Sequence, residues 1–433
     1  MFLKRVLCAG VCACLAFPTV FAAASHPSGA GLVISAHAAQ KSDASLQGFV
    51  RQVWTASPAV QGAQAAIEAA QARLEGAGQP LHNPSLALDA ERTAVNTASI
   101  GLNQTLDWSD KKGAQVNVVE RQLQAAQARL LETRQRVAVE ALEAVVSYFT
   151  AHQMQALAQR RSELMKGFVD AVQQRRAAGD VAALDVTLAQ VAYSEALMVE
   201  AASASQLAEA EAALQAVSGL TAASWPTLPG ELASAPASVD ASLLQRLPGL
   251  AVLRSQMEAA RARIKVAERQ GQIDPTVGIR AGRDDSDTLL GLSLEIPLFV
   301  RNNYKAQVRE ASHEAVAQEM AYRDAYRRAE ARLEGALGRF QHTSSAWLTW
   351  GETGQAALRE QMGLLEQMWQ AGELSATDFL IQTKQNIDTQ ATATELLGEV
   401  WRSAIAWLAA SGQVELWLGL SDQSVEKSAG ERK

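Results

Sequence analysis

Glu68-Ala69-Ala70-Gln71-Ala72-Arg73 and Glu258-Ala259-Ala260-Arg261-Ala262-Arg263 lie 190 positions apart and differ at one residue. Around them the correspondence continues: Pro58 with Pro248, Asn83-Pro84 with Asp274-Pro275, Ile100-Gly101-Leu102 with Leu290-Gly291-Leu292, Ala114-Gln115-Val116 with Ala306-Gln307-Val308, and Ser218-Gly219 with Ser411-Gly412. The offset drifts only from 190 to 193 along the chain. Constant spacing of that kind marks a duplicated unit. The sequence therefore divides into a first repeat at 46–220, a Pro, Ser and Ala-rich linker at 221–240, a second repeat at 241–412 and a polar tail at 413–433.

Each repeat holds the same succession of patterns. A helical stretch, 58–77 or 248–269, precedes two short alternating segments and then a very long helical run. Leu290, Leu292, Leu294, Ile296 and Leu298 alternate with Gly291, Ser293, Glu295 and Pro297, and Ile100, Leu102, Leu106 and Trp108 do so more loosely among polar residues. One hairpin per repeat, apolar on one face and polar on the other, follows from that period of two. The long runs carry heptads. From Val116, steps of seven reach Leu123, Leu130, Val137, Ala144, Ala151, Ala158, Met165 and Val172; from Val308 they reach Ala315, Tyr322, Ala329, Ala336, Thr343, Trp350, Ala357 and Leu364. These are coiled seams in helices roughly 90 Å long. Each run halts at a glycine turn, Ala178-Gly179-Asp180 or Ala371-Gly372-Glu373, from which a second helix returns through Asp185 or Asp378. The fold class is mainly α with a small β part: long coiled helical hairpins plus four β-strands. Trp347 and Trp350 among Gly338, Gly351 and Gly354 point to a bend midway along the second long helix.

Composition agrees. The 433 residues are 48% hydrophobic with only 5% aromatic, a bias toward alanine-rich, closely packed helices. A net charge of -7, with no basic block, excludes a generally basic nucleic-acid binder, and no nucleic-acid partner is expected. Residues 1–24 read as an export signal, with small-residue cleavage sites at Ala22-Ala23-Ala24, the preferred one, and at Ala36-His37-Ala38, the latest, and the cysteines Cys8, Cys12 and Cys14 all fall inside it. No other stretch is apolar enough for a membrane helix. No phosphate loop, nucleophile elbow or zinc helix motif occurs, and His82, His152, His313 and His342 lack ligand spacing. Neither an enzyme, a cofactor nor a resident metal is expected.

Strands with one apolar and one polar face, in an exported chain without membrane helices, suit a wall of an outer-membrane barrel; four are too few to close one, so oligomerisation must supply the rest. The competing class is a soluble periplasmic coiled-coil scaffold or adaptor.

The duplicated unit, Asn83-Pro84-Ser85-Leu86-Ala87-Leu88, Leu102-Asn103-Gln104-Thr105-Leu106-Asp107-Trp108 and the strand exit Ile296-Pro297-Leu298-Phe299 together resemble the TolC-like outer-membrane factors. Pro297-Leu298-Phe299-Val300-Arg301-Asn302 is most similar to the branch that exports cobalt, zinc and cadmium, although Asn303-Tyr304 stands where that branch tends to carry a glycine. The resemblance implies a homotrimer in the bacterial outer membrane, a twelve-stranded barrel in lipid continued by a periplasmic helical tunnel. It also implies docking on a periplasmic adaptor coupled to a proton-driven inner-membrane pump. By position, Ala178, Gly179, Asp180, Ala371, Gly372 and Glu373 match the family's adaptor-docking tips, with acids where the family often has an aliphatic residue. Asp378 matches a carboxylate ring at the periplasmic entrance. Asp185 and Trp369 match positions linking neighbouring helices in the closed state. A second acid expected one turn after Asp378 is replaced by Ile381.

Overall fold

A computed structural model describes residues 44–92, 96–222, 225–228 and 234–420. The expected export signal with its cysteines, residues 223–224 and 229–233 of the linker, and residues 421–433 lie outside the described residues.

The described residues open with α1 (Ala44–Ala56) and α2 (Pro58–Ala77), followed by β1 (Ser85–Arg92) and β2 (Asn96–Thr105), then α3 (Lys111–Ala178) and α4 (Ala183–Ser218). A short α5 (Ser242–Arg246) leads to α6 (Pro248–Gln270), β3 (Thr276–Asp284), β4 (Asp287–Glu295), α7 (Lys305–Thr349), a π-helical turn (Trp350–Gly354), α8 (Gln355–Ala371), α9 (Ala376–Ser411) and α10 (Val414–Trp417). Both α2 and α6 start with proline at the first helical position, where its missing N–H costs nothing.

With 68 residues α3 extends for about 100 Å. Its mean amphipathicity is low because it is clothed by different partners along its length: α2 and α6 flank the part near the strands, and α4 and α9 the part beyond. Along its seam Leu130, Val137, Ala158, Met165 and Val172 are buried and Val116, Leu123, Ala144 and Ala151 half-buried. The second seam holds through Trp350 and then moves. Ala357 and Leu364 are exposed, whereas Leu358 is half-buried and Leu365 buried. The π-turn at Trp350–Gly354 explains the shift, since a π-bulge accommodates one extra residue and advances every later side chain by one position.

Among the described residues three apolar clusters hold the helices. The largest joins Leu46, Phe49, Val50 and Val53 of α1 to Leu142, Val145 and Val146 of α3, Trp401 and Ile405 of α9, and Val414 and Leu418. Residues 413–420, which the sequence reading assigns to a polar tail, thus turn back as α10 because Val414 and Leu418 have a core to enter. A second cluster gathers Leu244, Leu250, Leu333, Leu337, Phe340 and Trp407. The third lies at the helical turns, described below.

The four strands form one antiparallel sheet in the order β1-β2-β3-β4. Its central pair, β2 with β3, joins the two hairpins.

Candidate functional site: sheet faces, junction and helical turns

Strand register decides what the sheet can face. Leu86, Leu102, Ile279 and Leu292 stand opposite one another across all four strands, and Leu88, Ile100, Ala281 and Leu290 form the next row. Opposed residues share a face. The side chains are bare: Leu292 is 86% exposed, Leu290 79% and Leu88 72%. On the reverse face run Ser85, Asn103, Gly278 and Ser293, then Ala87, Gly101, Arg280 and Gly291. Strands of eight to ten residues have the length of membrane-spanning ones. The outer edges of β1 and β4 have no partner strand among the described residues.

Where the sheet gives way to helix, a polar junction fixes the geometry. Asp274 is buried, 2.8 Å from the Lys111 ammonium, and accepts hydrogen bonds from the Ser109 amide (3.2 Å) and hydroxyl (2.8 Å). Burial pushes its pKa up, but the Lys111 and Ser109 contacts outweigh that and hold the carboxyl below the ordinary range. The Asp107 carboxylate accepts from the Lys111 and Lys112 amides at 2.7 and 2.9 Å, capping α3. Arg269 of α6 donates to Asp110, which takes the left-handed conformation at φ 54°.

At the other end of α3 lie the two helical turns. Gly179 (φ 87°) and Gly372 (φ 75°) adopt the left-handed conformation that suits glycine, so α3 and α8 each stop and reverse. Ala178, Asp180, Ala371 and Glu373 are exposed beside them. Asp185 accepts from the Ala182 amide at 3.0 Å at the start of α4. At the start of α9 the Ser375 hydroxyl accepts from the Asp378 amide (3.1 Å) and donates to the Asp378 carboxylate (2.6 Å), leaving that carboxylate exposed. Both acids lie in the first turn of a helix, where negative charge is favoured; Asp185 accepts from the backbone at the start of α4, whereas the cap of α9 is Ser375, whose hydroxyl Asp378 holds. Trp369, near the end of α8, is buried. It stacks on Phe379 at 5.0 Å, lies 5.4 Å from Phe168 and carries the Arg175 guanidinium on its other contacts, 4.0 Å from the ring centre. The structure thus brings Trp369 together with residues of α3 and α9, not with Asp185.

Two clusters escaped sequence reading. One is this aromatic group with Arg175, whose members come from three helices. The other is Arg161, buried in α3 and paired with Glu195 of α4 (3.3 Å) and Asp388 of α9 (3.2 Å), with Lys384 on Glu195 at 2.7 Å. The Lys384 hydrogen bond holds the Glu195 carboxyl below its usual range. Among the described residues no group of three His, Cys, Asp or Glu is placed to hold a metal ion, and no helix is long and apolar enough to cross a membrane.

Comparison with known proteins adds to this geometry. Residues 49–220 match the family model described as outer membrane efflux protein. The cobalt-zinc-cadmium resistance protein CzcC of Cupriavidus metallidurans is 27% identical over 248 residues, 53% of this chain and 58% of that protein. The nickel-cobalt-cadmium resistance protein NccC of Alcaligenes xylosoxydans xylosoxydans is 32% identical over 214 residues, 48% of each. The chain thus spans about half the length of the curated relatives it matches. In fold it is similar to the Campylobacter jejuni CmeC outer membrane channel, with a TM-score of 0.73 over 90% of each chain at 12% identity.

Proposed function

We propose, from the premise that this chain is a TolC-like outer membrane efflux protein most similar to the heavy-metal branch, that it is one subunit of an outer-membrane channel. The channel passes substrates delivered by a periplasmic adaptor and an inner-membrane pump, with divalent heavy-metal cations as the cargo class. The observation that carries this reading is the sheet: two rows of bare leucine and isoleucine across four strands, a polar reverse face, and two unpaired edges. In water such a face is a large exposed apolar patch; in lipid it is the expected surface. Open edges are not tolerated in hydrocarbon, so copies of the chain must close the wall, three of them giving twelve strands. A soluble scaffold offers no reason for the bare leucines.

Within that channel the two repeats, 46–220 and 241–412, form quasi-equivalent halves of the wall. Gly179 and Gly372 with their flanking residues form the tips that meet the adaptor. The exposed Asp378 carboxylate faces the periplasmic entrance, where a ring of copies attracts cations. Asp185 and Trp369 belong to the same closing region. The chain itself needs no energy source, because the gradient or pump drives transport.

Cell fractionation with planar-bilayer recording tests the reading. Detergent-soluble trimers from the outer membrane that form discrete conducting channels are expected; recovery only as a water-soluble monomer without conductance overturns it.

A further inference from the structure

The outward rows do not remain apolar to the ends of the strands. Beyond Leu88, Ile100, Ala281 and Leu290 the next opposed row is Ala90, Ala98, Arg283 and Thr288, and beyond that Arg92 pairs with Asn96. Arg283 and Arg92 therefore stand on the same face as the leucines, at the hairpin end of the sheet, opposite the end from which the helices leave. At the same height the reverse face is acidic: Asp89 lies in one row, and Glu91, Thr97, Asp284 and Asp287 in the last, with the Thr97 hydroxyl donating to Asp284 at 2.6 Å. The pleat keeps these acids on the far side of the wall from the two arginines. Both arginines are exposed, and among the described residues neither forms an ion pair or a side-chain hydrogen bond.

Unpaired arginine on a lipid-facing strand is costly at mid-bilayer and nearly free at the interface. Arg283 stands about 7 Å beyond the last leucine row and Arg92 about 14 Å, two and four residues along the strand. That is where hydrocarbon ends and headgroups begin. A guanidinium fork there, with its own acids turned inward, has bidentate complementarity to phosphate. We infer that Arg92 and Arg283 bind the phosphate groups of anionic lipid in the leaflet on the hairpin side of the membrane. This rests on the channel reading above. In a closed oligomer the site repeats as a basic girdle around the barrel, while the acids line the aqueous mouth.

The test is lipid retention by the detergent-purified full chain, with diphosphoryl lipid A, its dephosphorylated form and inorganic phosphate as probes, read by native mass spectrometry. Diphosphoryl lipid A is expected to be retained over the dephosphorylated form. R92Q and R283Q should each weaken retention about fivefold and the double variant about twentyfold. R92K/R283K should keep part of it, and R280Q, on the polar face, should change nothing. Equal retention by the double variant, an equal loss in R280Q, or inorganic phosphate binding as tightly as the lipid overturns the proposal. Single-channel recording in neutral lipid separates the two readings. A double variant that conducts like the parent is folded, so its retention result decides the lipid site alone, whereas a parent chain that conducts in no bilayer overturns the channel and the lipid site with it.

Discussion

The Arg175 guanidinium lies 4.0 Å from the centre of the Trp369 ring and donates to the Trp369 backbone carbonyl, although the two residues are 194 positions apart. The last turn of α3 is thereby fastened to the last turn of α8, directly above the two reversing glycines. Phe168 and Phe379 complete the cluster, so it ties three helices at the turns.

Trp369→Ala should therefore loosen both turns at once. Truncating a buried tryptophan costs about 3–5 kcal/mol, and the stacked cation adds about 1 kcal/mol. Hydrogen exchange should speed up at residues 178–183 and 371–376 together, while Arg175→Lys, which keeps charge but loses the planar stack, gives a smaller effect. Acceleration confined to one turn would mean the cluster does not couple them.

Asp378 combines a hydrogen bond from the capping Ser375 hydroxyl with an exposed charge, and two variants separate these. Asp378→Ala loses both and should cost about 1 kcal/mol of local stability. Asp378→Asn keeps a side-chain acceptor for Ser375 but removes the charge. If the carboxylate acts in the pore, both variants lower cation over anion permeability, measured as reversal potential in asymmetric salt; an unchanged potential in Asp378→Asn leaves only the bond to Ser375.

The junction carboxylate predicts an acid sensitivity of definite sign. Asp274 has a lowered pKa in the folded chain, so its contribution is present above the unfolded value of about 3.9 and is lost as pH falls through the folded one. Asp274→Asn should lower the thermal midpoint at pH 7, by removing a Lys111 partner worth about 1–3 kcal/mol, and the gap from the parent should narrow as pH falls below about 4. A gap independent of pH would mean that shape, not charge, is what Asp274 supplies.

Two glycines on the polar face of β3 should differ in tolerance. A Cβ at Gly282 would run into the Ala98 carbonyl oxygen and the Ser99 Cα, 2.8 Å away, both backbone of β2. At Gly278 the obstacles are the ends of the Asn103 and Ser293 side chains, which can rotate. Gly282→Ala should thus weaken the pairing that joins the two hairpins, by about 1–3 kcal/mol, and reduce the membrane-inserted fraction, with Gly278→Ala much milder. Equal yields of inserted protein would contradict this.

What could be read from the sequence followed local periodicity. The seven-residue spacing located the α3 seam, every position of which is buried or half-buried, and the two-residue alternation at Leu290–Leu294 gave the outward face. Gly179 and Gly372 were legible because a reversal needs the left-handed backbone. Arg175 on Trp369, and Arg161 between Glu195 and Asp388, were not, since helix packing alone brings them together. In α1, Leu46, Phe49, Val50 and Val53 have helical spacing, but thirteen residues are too few for a sustained heptad to mark the segment.

The break in the second seam makes the last prediction. Because the π-turn at Trp350–Gly354 accommodates one extra residue, Leu358 and Leu365 occupy the inward positions that a strict heptad from Trp350 assigns to Ala357 and Leu364. Deleting Gly351 removes the surplus residue. The segment can then close as ordinary α-helix, with the side chains of Leu358 and Leu365 arriving seven and fourteen positions after Trp350, so the inward face of α8 is preserved. The deletion should change the thermal midpoint little, since Gly351 has open space around it and a glycine is lost from a helix. Deleting Gly335 in the regular part of α7 leaves no bulge to absorb the change and rotates Leu337 and Phe340, both buried, by about 100° out of their cluster. Unfolding by heat should therefore occur much earlier in the Gly335 deletion than in the Gly351 deletion; the reverse order would mean that the π-turn, not the heptad, sets the packing of α8.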